Sequence, residues 1–341
     1  MRAFADAARL GFDVFLPLAL APPLRFLARR AMGASFASPI LRCRRAGGKR
    51  VDWVAAPMPP AKISIVLTVF NGARFVGRAV DSVVRQSVRD LELIVWDDGS
   101  QDASLAVVRA HAGSDPRVRV VAGSHRSVAG ALAAGHALAR GTYVGYLDHD
   151  DWLAPTALAE TAAVLDASPT VGMVYTDYVN VTAAARRLGL GARCAIPYSR
   201  ERLLGDFMTY HFRLLRATTL RAAGGIRTRF EQCADYDLAL RVSEITDVAH
   251  VARPLYFHRR HRDSVSWRQQ REQREAAARA IGEALDRRGL SPAWRLEVSE
   301  AGVFTLVSRR PRRRRSCYGR REGGKDATWD ATTVCLWPVS R

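Results

Sequence analysis

The chain has 341 residues, with 52 Lys and Arg against 33 Asp and Glu, a formal charge of +19, and 48% apolar residues. These proportions exclude a wholly disordered chain and leave room for one large domain or two smaller ones with a real core. Five cysteines, Cys43, Cys194, Cys233, Cys317 and Cys335, lie far apart with no CxxC pair, which excludes a disulfide-built mini-protein and a cysteine zinc site and fits a reducing compartment.

In chain order, residues 1–61 read as an apolar and basic segment followed by a linker. The apolar run from Leu10 to Leu27 is broken by Asp13, Pro17, Pro22, Pro23 and Arg25. It is too short and too interrupted for a spanning helix, and it predicts an interfacial or core-packing segment. The basic pair Arg29-Arg30 follows the run, the reverse of a signal peptide. Residues 42–50 carry Arg42, Arg44, Arg45, Lys49 and Arg50, and residues 43–61 have the Gly, Pro and charge content of a linker.

From Lys62 the texture changes. Ile63–Val69 is a continuous β-branched apolar run, as expected of a strand buried on both faces. An amphipathic helix is predicted over 74–86, a strand over 91–96, a helix over 102–112 capped by Ser100, and a strand over 118–122. A helix over 128–140, a strand over 142–147, a helix over 155–166 and a strand over 171–176 continue the alternation. Beyond residue 180 it weakens: a strand over 210–215, a helix over 216–223 stopped by Gly224-Gly225, a helix over 236–246, short strands over 248–251 and 255–258, and a charged helix over 269–288. Residues 309–321 hold eight Arg and no acid, and the tail 309–341 is expected to be disordered. Strand–helix alternation with short connections predicts an α/β fold, a mostly parallel sheet with helices on both faces.

In such a sheet, ligands bind beyond the carboxyl ends of the strands. Three polar clusters fall there: Thr68 to Asn71, Asp97 to Ser100, and Asp148 to Asp151. Asp148 and Asp150, two apart on an extended strand end, point the same way and suit Mg²⁺ or Mn²⁺ with a substrate diphosphate. Asp151 reads more simply as a helix cap. An acid such as Asp98 can accept from a ribose or base, although a turn and cap would explain Asp97 to Ser100 equally well. In Asp235-Tyr236-Asp237, one carboxylate is a helix cap or a general base, and spacing does not choose. His258, Arg259, Arg260 and His261 offer imidazole ligands or phosphate cations. No P-loop, dinucleotide fingerprint or G-x-S-x-G elbow is present.

Together the residues resemble a family 2 glycosyltransferase of the GT-A fold. The resemblance is carried by ISIVLTVFNG (63–72), LELIVWDDGSQD (91–102), ALARGTYVGYLDHDDWLAP (137–155), GMVYTDY (172–178), Gly224-Gly225, DYDLALRV (235–242) and HRDSVS (261–266). It covers about 62–267, with 268–308 similar to the helical connector after the first catalytic module of tandem bacterial members. It implies a Rossmann-like sheet and an inverting transfer from a nucleotide-diphosphate sugar to a hydroxyl on a glycan, lipid-linked or protein acceptor. It implies Thr68, Asn71, Asp98, Arg126 and Asp148 at the nucleotide sugar, Asp148, Asp150 and His261 at Mg²⁺ or Mn²⁺, Asp235 as catalytic base and His211 on the acceptor side. Ala234 stands where the family often has Glu or Gln, and Leu132-Ala133 where it often has Arg-Asn, a loss that Arg126 would offset. The implied setting is cytoplasmic and peripheral to the inner face of the membrane, in surface-glycan synthesis. The rival reading is a catalytically silent glycosyltransferase-like module that binds a membrane or partner. A specific nucleic-acid binder ranks lower, because no aromatics interleave with the Arg block.

Overall fold

Residues Ile63–Val69 form strand β1, and every one is buried. A strand without a polar face is stable only inside a sheet covered on both sides. β1 pairs in parallel with β2 (Leu91–Asp97) and β4 (Tyr143–Asp148), and β3 (Val118–Ala122) pairs with β2. Helices α1 (Val76–Val84), α2 (Ser104–Ala112) and α3 (Val128–Ala137) connect these strands. The structure is a computed structural model that describes residues 61–264, 268–299, 303–309 and 333–334. The N-terminal apolar run and nearly all of the Arg-rich tail lie outside the described residues.

The sheet then changes character. β5 (Trp152–Leu153), α4 (Ala157–Ala167), β6 (Val171–Thr182) and β7 (Arg187–Leu190) are followed by β8 (Arg213–Arg216), α5 (Ala217–Ala222), α6 (Ala234–Ile245) and β9 (Asp247–Arg260). The nine-stranded order is β3-β2-β1-β4-β8-β6-β9-β5, with β7 beside β6. β8 runs antiparallel between β4 and β6, and β9 runs parallel to β6. Side-chain alternation along β1 feeds two cores. Ile63, Ile65 and Leu67 pack with Val76, Val80 and Val83 of α1 and Leu158 and Leu165 of α4. Val66 joins the other core, with Leu238 and Val242 of α6.

The sequence expectations hold for the central strands and depart elsewhere; three departures bear on the site or the core. The two short strands expected over 248–258 are one long strand, because register shifts near Thr176 and Asp177 absorb Pro254, which sits opposite Asp177. Ser100 does not cap α2: its hydroxyl accepts from the Asn71 N–H at 3.0 Å, and Asp102 takes the Ser104 N–H at 2.9 Å. The region after residue 268 is more than helical. Helix α7 (Gln270–Arg287) is followed by β10 (Trp294–Val298), β11 (Phe304–Ser308) and β12 (Thr333–Val334), which form a small antiparallel sheet. The charged composition of α7 hides an apolar stripe, Ala276, Ala277, Ala280, Ile281, Ala284 and Leu285, buried in the α6 core. Among the described residues no helix is long and apolar enough to cross a membrane.

One buried ion pair joins α6 to the end of α5. The Arg241 guanidinium meets the Asp237 carboxylate at 2.7 Å, with side-chain exposures of 4% and 0%. Arg241 also donates to the carbonyl oxygens of Ala223 and Gly225. Gly224 and Gly225 both have positive φ, 81° and 65°, so the chain turns just past α5 and presents the Ala223 and Gly225 carbonyls to Arg241. Arg241→Met is expected to cost about 3–5 kcal/mol, because the buried Asp237 carboxylate loses its ion-pair partner. The double variant Arg241→Met/Asp237→Leu should recover at least half of that loss, read from urea unfolding midpoints.

Candidate active site

β1, β2 and β4 end together: Thr68 lies opposite both Trp96 and Asp148 in register. The loop after β1 turns at Asn71, whose φ of 49° is a left-handed conformation that Asn tolerates. Its side-chain oxygen accepts from the Gln101 N–H at 2.8 Å, tying the first loop to the second. Gly72 is required by close approach: a Cβ there would lie 2.2 Å from the His149 ring. The β1 and β4 loops therefore touch through a contact only glycine permits. Phe70 is exposed at this edge, its ring 4.3 Å from the His125 ring. This pair was not singled out in the sequence, since neither residue lies in an acidic cluster.

Asp98 is buried, and its carboxylate is heavily used within the protein. It accepts from the N–H of Arg126 at 3.0 Å and of Ser127 at 3.3 Å, and from the Trp96 indole at 3.3 Å, with the His125 imidazole at 3.0 Å. Asp98 thus clamps the loop before α3. Arg126 is held there by its backbone, and its exposed guanidinium lies 5.7 Å over the Trp96 ring. Thr68 is buried at the strand end.

The end of β4 concentrates charge. Asp151 is buried and is no helix cap: it accepts from the Tyr256 hydroxyl and from the Arg259 N–H, each at 2.6 Å. Burial, then the charges of Asp150 and Asp148, hold its carboxyl well above the usual range. For Asp150 burial acts in the same direction, but the His261 imidazole at 2.8 Å and the nearby His149 outweigh it, and its carboxyl lies below the usual range. Asp148 is the exposed last residue of β4. Enclosure by the surrounding protein, then the charges of Asp150 and Asp235, push its carboxyl up to about 7. Solvent reaches Asp148 while protein surrounds it, which describes the floor of an open cleft.

Asp235 and Asp237 divide the roles that sequence left open. Asp237 is locked to Arg241 inside the core. Asp235, in the first turn of α6, is 43% exposed. The Arg213 guanidinium of β8 donates to one of its oxygens at 2.9 Å, and the Tyr236 N–H donates to the other at 2.8 Å. Its charge acts on Asp148, so the two carboxylates share one environment.

His211 stacks on Tyr256, with centroids 5.0 Å apart and planes 7° apart, beside His258. Burial first, and then neighbouring cationic groups, hold its imidazole well below its ordinary pKa, and its Nε2 is buried without a hydrogen bond. Among the described residues, Asp151, His211 and His258 form the one trio whose ligand atoms all lie within 4.8 Å. The expected set Asp148, Asp150 and His261 does not converge so tightly. It fits a hard cation in another way: three acids crowd one cleft, and Asp148 stays destabilised as an anion until positive charge is supplied.

The family profile described as Glycosyl transferase family 2 matches residues 64–223. Residues 64–223 thus form a Glycosyl transferase family 2 domain. The chondroitin synthase of Escherichia coli is 29% identical over 228 residues, 67% of this chain and 33% of its own length. The hyaluronan synthase of Pasteurella multocida is 30% identical over 229 residues, 67% of this chain and 24% of its own length. The chain thus spans a third or less of the length of these relatives. Among solved structures, Staphylococcus aureus TarS 1-349 in complex with UDP-GlcNAc superposes with a TM-score of 0.54 at 15% identity, covering 66% of each chain. The mannosyltransferase PcManGT of Pyrobaculum calidifontis, with GDP-Man and Mn²⁺, gives 0.52 at 18% identity, covering 67% of this chain and 64% of its own. These likenesses identify the fold as GT-A.

The raised Asp148 carboxyl has a consequence for stability. Its folded pKa lies above the ordinary carboxylate value, so its stabilising contribution is complete below about pH 4 and is lost as pH rises through about 7. Asp148→Asn is therefore expected to raise the melting temperature of the cation-free protein at pH 8. It should leave the value at pH 4 nearly unchanged, measured by calorimetry in the presence of chelator.

Proposed function

We propose that this protein is an inverting glycosyltransferase that moves a sugar from a nucleotide-diphosphate donor to a hydroxyl acceptor in surface-glycan synthesis. The observation that carries this reading is the cleft where Asp148, Asp150 and Asp235 meet on a family 2 domain. Donors of this class are bound by structural neighbours, UDP-GlcNAc in TarS and GDP-Man in PcManGT.

In this reading the nucleotide lies along the ends of β1 and β2. Thr68 and Asn71 line its path, the loop clamped by Asp98 forms one wall, and Arg126 supplies a cation toward the diphosphate. Asp148, Asp150 and His261 would hold Mg²⁺ or Mn²⁺, which supplies positive charge against the departing diphosphate. Asp235 takes the proton of the acceptor hydroxyl as its oxygen bonds to the anomeric carbon. The bond from that carbon to the diphosphate oxygen breaks with inversion, and its electron pair leaves on the nucleoside diphosphate. Arg213 and the Tyr236 N–H hold the Asp235 carboxylate in one orientation, so its position is set before substrate arrives. The acceptor is a hydroxyl on a glycan, lipid-linked or protein chain, with His211 on that side. The setting is the cytoplasm at the inner membrane face.

Asp235→Asn should lower kcat/KM by about 10²–10⁴-fold while leaving donor affinity unchanged. Near-full transfer by a folded Asp235→Asn protein would remove Asp235 as base. Asp150→Asn should abolish the Mn²⁺-dependent stabilisation by a nucleoside diphosphate, which for the parent is about 2.7 kcal/mol at 100 times the dissociation constant. Product anomeric configuration, read by NMR, tests inversion directly.

A further inference from the structure

A separate concavity lies where the start of α1 meets the β6–β7 turn. It is an open pocket of about 370 Å³ lined by Arg74, Phe75, Arg78, His111, Arg259 and the turn at 183–185. None of the residues assigned to donor, cation or base lines it.

Its cations are ordered by aromatic rings. The Arg78 guanidinium lies 3.6 Å over the Trp152 ring, and that of Arg74 lies 5.0 Å over Phe75. The Arg259 guanidinium sits 4.5 Å from the Phe75 ring centroid and 4.9 Å from that of Trp152. Among the described residues, neither Arg74 nor Arg78 has a carboxylate partner. Arg259 donates from Nε to the Asp150 carbonyl at 2.7 Å and from Nη1 to the Ala183 carbonyl at 2.6 Å. Its Nη2 is left without a protein partner among the described residues. His111 is bonded through Nδ1 to Asp81 at 2.9 Å, so its Nε2 packs over Gly77, where a Cβ would stand 2.5 Å away. Gly77 keeps that wall of the pocket open.

Arg74 and Arg78 have no carboxylate partner among the described residues and repel Arg259, a repulsion that Asp151 and Asp150 offset in part; the rest is relieved by an anion that accepts from several of the guanidiniums. Planar guanidinium forks match the oxygens of a phosphate. We propose that this pocket binds a phosphate-type oxyanion, with Arg74, Arg78 and Arg259 as its cations and Phe75 as an apolar wall. The ligand is free inorganic phosphate or the phosphate of a phosphorylated sugar. The volume accommodates the larger of these, and the site stands independently of the role given to Asp235.

The test is calorimetric titration of the full chain, without divalent cation, with sodium phosphate and with glucose 6-phosphate, against sodium chloride of equal ionic strength. Both anions are expected to bind saturably at one site. Arg74→Gln/Arg78→Gln should weaken that binding by about tenfold or more while leaving the response to UDP with Mn²⁺ unchanged. Tighter binding of glucose 6-phosphate identifies the sugar phosphate as ligand, and equal binding identifies the phosphate group alone; both support the site. A response no greater than that to chloride overturns it, as does phosphate binding that the double variant leaves intact. If the double variant does not fold, the exposed single variant Arg74→Gln serves, and unchanged phosphate affinity in it overturns the proposal.

Discussion

Three carboxylates at the end of one strand are an electrostatic load that the rest of the site is built to carry. Asp148 ends β4 and Asp150 and Asp151 follow it; Asp150 raises the cost of ionising both of the others, and Asp148 that of Asp151. The protein gives Asp150 and Asp151 close hydrogen-bond partners, and only Asp150 is brought below the usual carboxylate range. Tyr256 and the Arg259 backbone hold Asp151, and His261 holds Asp150. Each of these partners comes from β9 or the residue just beyond it. The exposed Asp148 has no cationic partner of its own among the described residues, and its carboxyl is pushed up to about 7.

That arrangement explains the unusual length of β9. Its fourteen residues run beside β6 from Asp247 to Arg260, and the register shifts around Thr176 and Asp177 let the strand pass Pro254. Without that passage Tyr256, Arg259 and His261 would not reach the β4 loop. The antiparallel strand β8 does similar work from within the sheet, since Arg213 extends from it to Asp235 on α6. Asp235 and the acids at the end of β4 are thus tied into the sheet by side chains from strands distant in sequence. Helix α7 anchors the α6 end of this assembly. Its buried alanines allow close approach, and its arginines reach Glu244 on α6.

The parallel half of the fold was legible because its central strand β1 is buried throughout, its neighbours are mostly apolar and its connections are short. The polar clusters at the ends of β1, β2 and β4 could be placed on one edge from alternation alone, before any contact was known. The chemical division inside each cluster was not legible. Asp97-Asp98 and Asp235-Tyr236-Asp237 present acids one or two residues apart, and spacing does not say which is consumed by the fold. Asp237 is neutralised by Arg241 four residues on, an ion pair that is visible as a pattern but ambiguous without burial. Arg213 carried no signal, because it acts through Asp235, a partner remote in sequence.

The sequence by itself determined the α/β class, the order of the central elements, the edge where polar residues collect and the resemblance to family 2 glycosyltransferases. These depend on local periodicity, strand-end position and motif order, all of which are properties of a short stretch of chain. Only the tertiary structure decided which carboxylates are satisfied and which remain exposed, that β9 is the strand that stabilises the β4 loop, and that a charged helix is part of the core. These depend on burial and on the partner facing each group across the sheet, and a charge has no fixed energy until its surroundings are known.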